Sequence, residues 1–184
     1  MKKYQCLTQK EFSNGEYKLV SIRFEDRYEI MKWRNEQIYH LRQKEPLTIE
    51  QQDAYFENVV DKLFYEEQPN QVLFSFLKND ELIGYGGLVH INWVDKNAEL
   101  SFVMETNLEN FMFEEIWSAY LVIIEKMAFE NLNLHKIYTF AFDLRPNLYQ
   151  VFEKNGLVLD ARLNEHCIFN GRYLDVVIHS KINQ

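Results

Sequence analysis

Two strand-like segments followed by a long amphipathic helix, within residues 81–134, constrain the fold of this chain more than any other stretch. Residues 81–91 and 98–104 have the composition of strands and flank a polar turn, and apolar residues at helical spacing follow within residues 114–132. The junction at residues 105–113 leads into this helix, whose first backbone N–H groups are free to bind an anion. The stretch therefore predicts a layered fold with a ligand site at this junction.

Length, composition and charge narrow the classes of protein that remain. The 184 residues are 47% hydrophobic, which predicts one well-packed domain over residues 1–184. No apolar run is long enough to cross a bilayer and the first residues lack a signal-peptide pattern, so a cytoplasmic location and no membrane partner are expected. A net charge of −8 argues against a nucleic-acid partner. The cysteines and histidines lack metal-ligand spacing, so no metal is expected.

The rest of the chain alternates between further strand and helix patterns. Residues 1–16 have no clear period and are expected to form an extended lead-in. Strands are predicted at residues 17–24, 71–77 and 136–142, and a final hairpin around Asn170–Gly171 joins residues 157–169 to residues 172–180. Helices are predicted from residue 26 to about residue 38, from the Thr48–Gln51 capping box through residue 64, and between Pro146 and Gly156. This order is that of a mixed α/β (α+β) layer structure.

Four segments in this order carry a resemblance to a known superfamily. They are LVSIRFEDRYEIMKWRNEQ, ELIGYGGLVHINWVDKNAELSFVM, AFENLNLHKIYTFAF and VFEKNGLVLDARLNEHCIFNGRYLDVVIHSKI. Together they resemble the GCN5-related N-acetyltransferase (GNAT) superfamily over nearly the whole chain. The resemblance implies a central, mostly antiparallel sheet splayed between its fourth and fifth strands, with helices on both faces. It also implies acetyl-CoA as donor co-substrate and a primary amine as acceptor.

The chain departs from the superfamily pattern at two places. The pyrophosphate loop of the superfamily has the form Arg/Gln-x-x-Gly-x-Gly/Ala, whereas this chain has no glycine between Gly87 and Gly156. Glycine lets the backbone approach the phosphates closely, so the loop is expected to be reshaped around CoA or to have lost it. Phe152 stands where relatives usually have a tyrosine that can protonate the departing thiolate, and Tyr149 is a possible substitute.

The resemblance also assigns residues to the donor side. The fourth strand is expected to offer backbone groups to the pantetheine arm, although its side chains also suit an ordinary core. The rewritten loop and the start of the helix after Pro146 are expected to complete the cofactor site, although an Asn in a first helical turn is as often a cap. The cofactor-binding candidates are Phe102, Val103, Met104, Asn110, Phe111, Met112, Phe113 and Asn147.

The candidate catalytic residue is Glu99. Strand alternation places it on the face opposite Leu100 and Phe102, and a half-buried carboxylate can act as a general base. An equal alternative is an ordered carboxylate that pairs with Lys or Arg and positions the substrate.

The acceptor side is expected to involve the first helix, the loop after it and the third strand. The substrate-binding candidates are Trp33, Arg34, Asn35, His40, Arg42 and Tyr85. Arginine binds phosphate well, so Arg34 and Arg42 suit a nucleotide-sugar diphosphate. The alternatives are core packing for Trp33 and Tyr85 and a solvated helix face for the other residues.

The sequence therefore predicts an N-acetyltransferase that acts on a small primary amine. The resemblance points most to amino sugars linked to nucleotides, as in surface-polysaccharide synthesis. The alternatives are a protein N-terminal acetyltransferase, as the similarity to the ribosomal-protein enzymes implies, and a non-enzymatic binding module that has lost CoA. A homodimer is a possible assembly.

Overall fold

The framework of the computed structural model, which describes residues 2–183, is a sheet of nine strands. The strands are β1 (Glu11–Asn14), β2 (Tyr17–Ser21), β3 (Val72–Lys78), β4 (Glu81–Asn92), β5 (Asn97–Met104), β6 (Lys136–Tyr138), β7 (Ala141–Phe142), β8 (Val158–Phe169) and β9 (Arg172–Ile182). Their order is β1-β2-β3-β4-β5-β6-β9-β7, and β8 pairs with β9. Every pair is antiparallel except β5–β6. The predicted mixed, mostly antiparallel sheet is therefore confirmed.

Helices cover both faces of this sheet. They are α1 (Arg27–Glu36), α2 (Ile49–Tyr55), α3 (Asp61–Leu63), α4 (Phe113–Lys126) and α5 (Pro146–Lys154). A π-helical turn, Phe56–Val60, joins α2 to α3, and a second one, Met127–Asn131, extends α4. The predicted capping box at Thr48 and Gln51 is confirmed at the start of α2. None of the helices in residues 2–183 combines the length and the apolar character that crossing a membrane requires.

Neighbouring residues of a strand contact different helices because strand side chains alternate between faces. Phe76 and Phe102 pack against Tyr120 of α4, with ring centroids 5.6 and 4.0 Å away. On the opposite face, the Ser75 hydroxyl donates to Asp26, which immediately precedes α1. The sheet therefore has α4 on one face and α1 and α2 on the other.

The glycines of β4 allow three strands and one helix to approach closely. A Cβ atom on Gly87 would lie 1.9 Å from the Val72 carbonyl oxygen, and one on Gly86 would lie 2.2 Å from that of Ser101. The Tyr120 hydroxyl lies 2.8 Å from the Ser101 oxygen and 3.3 Å from the Gly87 oxygen. Helix α4 is thereby attached to β4 and β5 together.

Two predictions of local structure were wrong. Residues 11–14, expected within an extended lead-in, form β1 and pair with β2. The strand expected at residues 136–142 is interrupted, since β6 pairs with both β5 and β9, whereas β7 pairs with β9 alone. This interruption matters most for function because it opens the sheet.

Candidate active site

The sheet opens where β5 and β6 diverge. The two strands pair only over residues 97–99 and 136–138. Beyond them, the backbone N–H of Thr139 bonds to the His179 carbonyl of β9, and β7 also follows β9. In the described part of the chain, the remainder of β5 has no strand on that side. The predicted splay between the fourth and fifth strands is therefore confirmed, between β5 and the β6–β7 segment.

A cavity of about 110 Å³ lies in this opening. We call it the cleft, and it lies between β5 and α4 on one side and residues 139–142 and α5 on the other. Four of the predicted site residues line it, namely Glu99, Phe102, His40 and Arg42. The complete lining is His40, Leu41, Arg42, Glu99, Leu100, Ser101, Phe102, Trp117, Thr139, Phe140, Ala141, Phe142, Arg145, Leu148 and Phe152.

Three aromatic side chains form the inner wall of the cleft. The Trp117 ring packs edge-on against Phe102 and Phe152, with centroid distances of 4.8 and 5.5 Å. The Trp117 indole nitrogen is buried and has no hydrogen-bond partner among the described residues. An unpaired buried donor costs about 1–3 kcal/mol. The rings of these three residues give the cleft an apolar inner wall.

Arg145 lies at the mouth of the cleft, beside the start of α4. Its side chain is 12% exposed and bonds to Glu109 at 2.5 Å. The guanidinium also lies 5.0 Å from the centre of the Phe113 ring, and its Nη1 lies 3.0 Å from Nε2 of His40. A positive charge therefore stands at the junction of β5 and α4, where the superfamily loop has its glycines.

The surroundings at the mouth of the cleft shift the pKa values of two residues, Glu109 and His40. Burial raises the pKa of Glu109, and the neighbouring Arg145 offsets part of this rise. Burial and the charge of Arg145 lower the pKa of His40 to about 3. His40 is therefore neutral near pH 7, and only a neutral imidazole has the lone pair that can accept a hydrogen bond from Arg145.

The low pKa of His40 predicts a loss of stability in mild acid. Between about pH 6.5 and pH 3 the unfolded chain binds a proton at this residue and the folded chain does not, so the free energy of unfolding falls as pH falls. Between pH 7.5 and pH 5, we expect the unmodified protein to lose about 1–2 kcal/mol more than His40→Gln. Urea unfolding at both pH values measures the difference. Equal losses in the two proteins would contradict this assignment.

The bulky residues of the rewritten loop do not fill the cleft. Asn110 ends a 3-10 helix, and the Phe111 side chain is 86% exposed. Met112 and Phe113 are partly buried and pack against the core, and none of the four lines the cavity. Their predicted contacts with CoA stay predictions.

The other donor-side candidates lie in three different environments. Phe102 lines the cleft, whereas Val103 and Met104 are buried in the core. The Met104 carbonyl accepts a hydrogen bond from Gln37 at 2.8 Å. Asn147 is exposed in the first turn of α5 and does not line the cleft, whereas Arg145, two residues earlier, does. The predicted contact of Asn147 with CoA stays a prediction.

Tyr149, the possible substitute for the missing tyrosine, is engaged elsewhere. Its hydroxyl donates to Asp143 at 2.9 Å, and its ring stacks on the buried His179. Burial and the bond to Asp143 raise the pKa of Tyr149. Its side chain does not line the cleft. Within residues 2–183, no group of three or more His, Cys, Asp or Glu side chains is arranged to hold a metal ion.

Glu99 lies at the point where β5 and β6 separate, and its side chain is only 6% exposed. One carboxylate oxygen accepts a hydrogen bond from Arg42, and the other lies 2.8 Å from Nδ1 of His90. The Arg42 guanidinium also lies 4.8 Å from the centre of the Phe140 ring. Glu99 is therefore an ordered carboxylate between a guanidinium and an imidazole, and its predicted catalytic role stays a prediction.

Sequence reasoning missed His90. This residue lies in an irregularity of the β4–β5 pairing and has a φ of +50°, a conformation that is uncommon for residues other than glycine. Its side chain is 63% exposed. Residue spacing gave no signal for the contact with Glu99, because the bulge sets the direction of the ring. Only the register that places Val89 opposite Glu99 brings the two side chains close.

The predicted acceptor residues of α1 divide into two groups. Trp33 is buried in the core, and Asn35 bonds to the backbone of Leu47 at 2.7 and 2.9 Å, which fixes the loop after α1. Arg34 instead donates to the Tyr85 hydroxyl at 2.5 Å and lines a second cavity. Arg34 and Tyr85 therefore line a cavity separate from the cleft that His40 and Arg42 line.

Fold and cleft together define the class of protein. The family model for the acetyltransferase (GNAT) domain matches residues 19–178, and the chain belongs to this family. The predicted resemblance to this superfamily is thereby confirmed.

One curated protein similar to this chain is a spermidine acetyltransferase from a bacterium. The chain is 32% identical over 98 residues to spermidine N(1)-acetyltransferase of Vibrio cholerae, and the match covers 52% of this chain and 53% of that protein. The chain thus spans about half the length of this curated relative.

Solved structures of spermidine N-acetyltransferase from Vibrio cholerae share the fold. The complex with CoA and spermine superposes with a TM-score of 0.77 at 20% identity, covering 92% of this chain and 96% of that one. A mutant form gives a TM-score of 0.73 at 22% identity, covering 92% and 95%. At this identity the likeness supports the fold alone.

Proposed function

We propose that this protein is an N-acetyltransferase that transfers the acetyl group of acetyl-CoA to the primary amine of a small molecule. The observation that carries the proposal is the cleft between β5 and the β6–β7 segment, with an ordered carboxylate, Glu99, at its inner end. A scaffold without activity would need neither the opening nor a nearly buried carboxylate. We further propose that the enzyme works in the cytoplasm.

The aromatic wall and Arg145 are suited to hold the donor. Phe102, Trp117 and Phe152 provide an apolar surface for the pantetheine arm. Arg145 is placed to bind the diphosphate by charge-assisted hydrogen bonds, with Glu109 as its partner when no donor is bound. When bound, acetyl-CoA supplies an activated acetyl group on sulfur.

Replacing Arg145 tests this arrangement. We expect Arg145→Gln to weaken CoA binding by about 10- to 100-fold, since hydrogen bonds to charged groups contribute about 1.5–3 kcal/mol. Binding of acetyl-pantetheine, which lacks the diphosphate, should stay unchanged. Isothermal titration with both compounds measures the effect, and Arg172→Gln, at an exposed position of β9, is the matched control. Equal CoA affinity in the variant and the unmodified protein would refute the role.

The acceptor amine must lose a proton before it can attack, and we assign this step to Glu99 and His90. The contact of Nδ1 with the Glu99 carboxylate orients the ring and leaves Nε2 to accept the proton from the ammonium group. The neutral amine then forms its bond to the acetyl carbon while the carbon–sulfur bond breaks. CoA leaves as the thiolate, which takes up the proton that the amide nitrogen loses. Arg42 keeps the Glu99 carboxylate in place throughout.

Two classes of acceptor deserve a direct comparison. The predicted nucleotide-linked amino sugar would use arginines for its diphosphate, but Arg42 is engaged by Glu99, which leaves Arg34 alone for that role. Polyamines are the second class, because the similar proteins from Vibrio cholerae are spermidine acetyltransferases. Peptide N-termini and a homodimeric assembly remain further proposals that the same purified protein can test.

The direct experiment combines binding with product analysis. Isothermal titration with acetyl-CoA and CoA should give affinities in the micromolar range. Mass spectrometry should then detect acetylated product from a panel that contains glucosamine, UDP-linked amino sugars, spermidine and short peptides. If neither compound binds at millimolar concentration and no panel member is acetylated, the protein is instead a binding module that has lost CoA.

A further inference from the structure

Arg34 differs from the other arginines in its electrostatic surroundings. Within residues 2–183, Arg34 is partly buried and has no carboxylate within 4.0 Å. The other arginines either form ion pairs, namely Arg23, Arg27, Arg42, Arg145 and Arg162, or are exposed, as is Arg172. Its hydrogen bonds go to neutral groups, the Tyr85 hydroxyl at 2.5 Å and the Gln43 side-chain oxygen at 3.0 Å. A partly desolvated cation without an anionic partner is unfavourable unless a ligand supplies the charge.

Arg34 lines a cavity of about 260 Å³ between the sheet and helices α1 and α2. We call this cavity the Arg34 pocket. Its other polar side chains include Gln51, Tyr55, Gln71 and Tyr85, which offer hydroxyl and amide donors but no carboxylate. The pocket therefore has the chemistry of a site for an anion.

The Arg34 pocket adjoins the proposed reaction centre. Ser101 lines both this pocket and the cleft. Glu99 and Ser101 lie two residues apart on β5, so their side chains share a face and are separated by about 7 Å. A small acceptor could thus place its amine near Glu99 and extend past Ser101 toward Arg34.

We infer that the acceptor is a primary amine that also carries a carboxylate or phosphate, and that the Arg34 pocket binds this anionic group. The inference rests on the proposed N-acetyltransferase function and names its substrate class. A polyamine has positive charge along its whole length and would bring an ammonium group against the Arg34 guanidinium. The pocket therefore disfavours spermidine as the acceptor, in contrast to the similar Vibrio cholerae enzymes.

Pairs of amines that differ only in the anionic group test the inference. Glucosamine is compared with glucosamine 6-phosphate, hexylamine with 6-aminohexanoate, and spermidine serves as a cationic acceptor. We expect kcat/KM to be about 10- to 100-fold higher for the anionic member of at least one pair, as a charged hydrogen bond predicts. The pair that shows the preference distinguishes phosphate from carboxylate. Spermidine should be acetylated poorly or not at all.

Substitution of Arg34 assigns the preference to the pocket. In Arg34→Gln the ratio of kcat/KM between the anionic and the neutral member of a pair should fall to about 1, since the charged contact is lost. Arg172→Gln should behave as the unmodified protein. Arg34→Lys should keep part of the preference, and Tyr85→Phe provides a second variant if Arg34→Gln does not fold. Two results would overturn the inference. One is a preference for the anionic amine that persists in folded Arg34→Gln, and the other is a kcat/KM for spermidine equal to that for the preferred anionic amine.

Binding measurements separate this inference from the proposed function. Isothermal titration of the anionic amine that shows the preference, glucosamine 6-phosphate or 6-aminohexanoate, should give heat with the unmodified protein and none with Arg34→Gln. If the protein binds acetyl-CoA and acetylates the neutral amines but binds neither anion, the pocket inference alone fails. If acetyl-CoA does not bind and the anions do, the acetyltransferase proposal fails and the anion site stands.

Discussion

Glu99→Gln should lower kcat for acetyl transfer by about 100- to 10,000-fold, the range that a positioned proton acceptor contributes. The amide retains an oxygen for Arg42 but cannot hold His90 as a negatively charged partner does. Steady-state assays with acetyl-CoA and the best amine of the panel measure the change. Because the amide is nearly the same size as the carboxylate, the fold should persist, and a thermal melt verifies this.

Two comparisons make the Glu99 result specific. Glu81→Gln, at the exposed start of β4, is a matched control that should retain full activity. His90→Asn should also lower kcat, because an amide nitrogen cannot accept the proton from the ammonium group. A Glu99→Gln enzyme within about 3-fold of the unmodified rate would show that the carboxylate does not take part in proton transfer.

Phe102→Ala should destabilise the protein by about 3–5 kcal/mol, as is usual for removal of a buried phenylalanine. The Phe102 ring stacks on Tyr120 at 4.0 Å and contacts Phe76 and Trp117 edge-on at 5.6 and 4.8 Å. Its loss leaves a void between β5 and α4 that the neighbouring rings cannot fill without moving. Urea unfolding monitored by circular dichroism measures the difference in free energy.

The exposed Val94 provides the control for this second prediction. Its side chain is 90% exposed, so Val94→Ala should change the free energy of unfolding by less than about 0.5 kcal/mol. If Phe102→Ala costs no more than Val94→Ala, the aromatic wall of the cleft does not stabilise the fold. Retained CoA binding in a destabilised Phe102→Ala would in turn separate the packing role of this ring from any contact with the donor.

Much of the framework follows from short-range patterns. The capping box at Thr48, the hairpin at Asn170–Gly171 and the helix between Pro146 and Gly156 each depend on residues close in sequence, and the structure has all three. β1 was not predicted because its four residues are too few to show the alternation of apolar and polar side chains that is typical of a strand. They form a strand only because β2 is available as a partner.

The site was harder to predict because its contacts join distant segments. Glu99 could be selected from strand alternation, but its two partners come from the loop after α1 and from a bulge in β4. Arg145 and Glu109 lie 36 residues apart and meet only when α5 is docked beside α4. A contact of this kind leaves no periodic signal in the sequence.

The single hydroxyl of Tyr120, held against the carbonyls of both Gly87 and Ser101, makes the two flanks of the cleft mechanically unequal. The flank formed by β4 and β5 is attached to α4 by these two hydrogen bonds, so the two strands and the helix move together. The opposite flank consists of a three-residue strand and a two-residue strand, both paired with β9 and joined by Thr139 and Phe140. We therefore expect any widening of the cleft that admits a bulky donor to occur by movement of the flank that contains these two short strands.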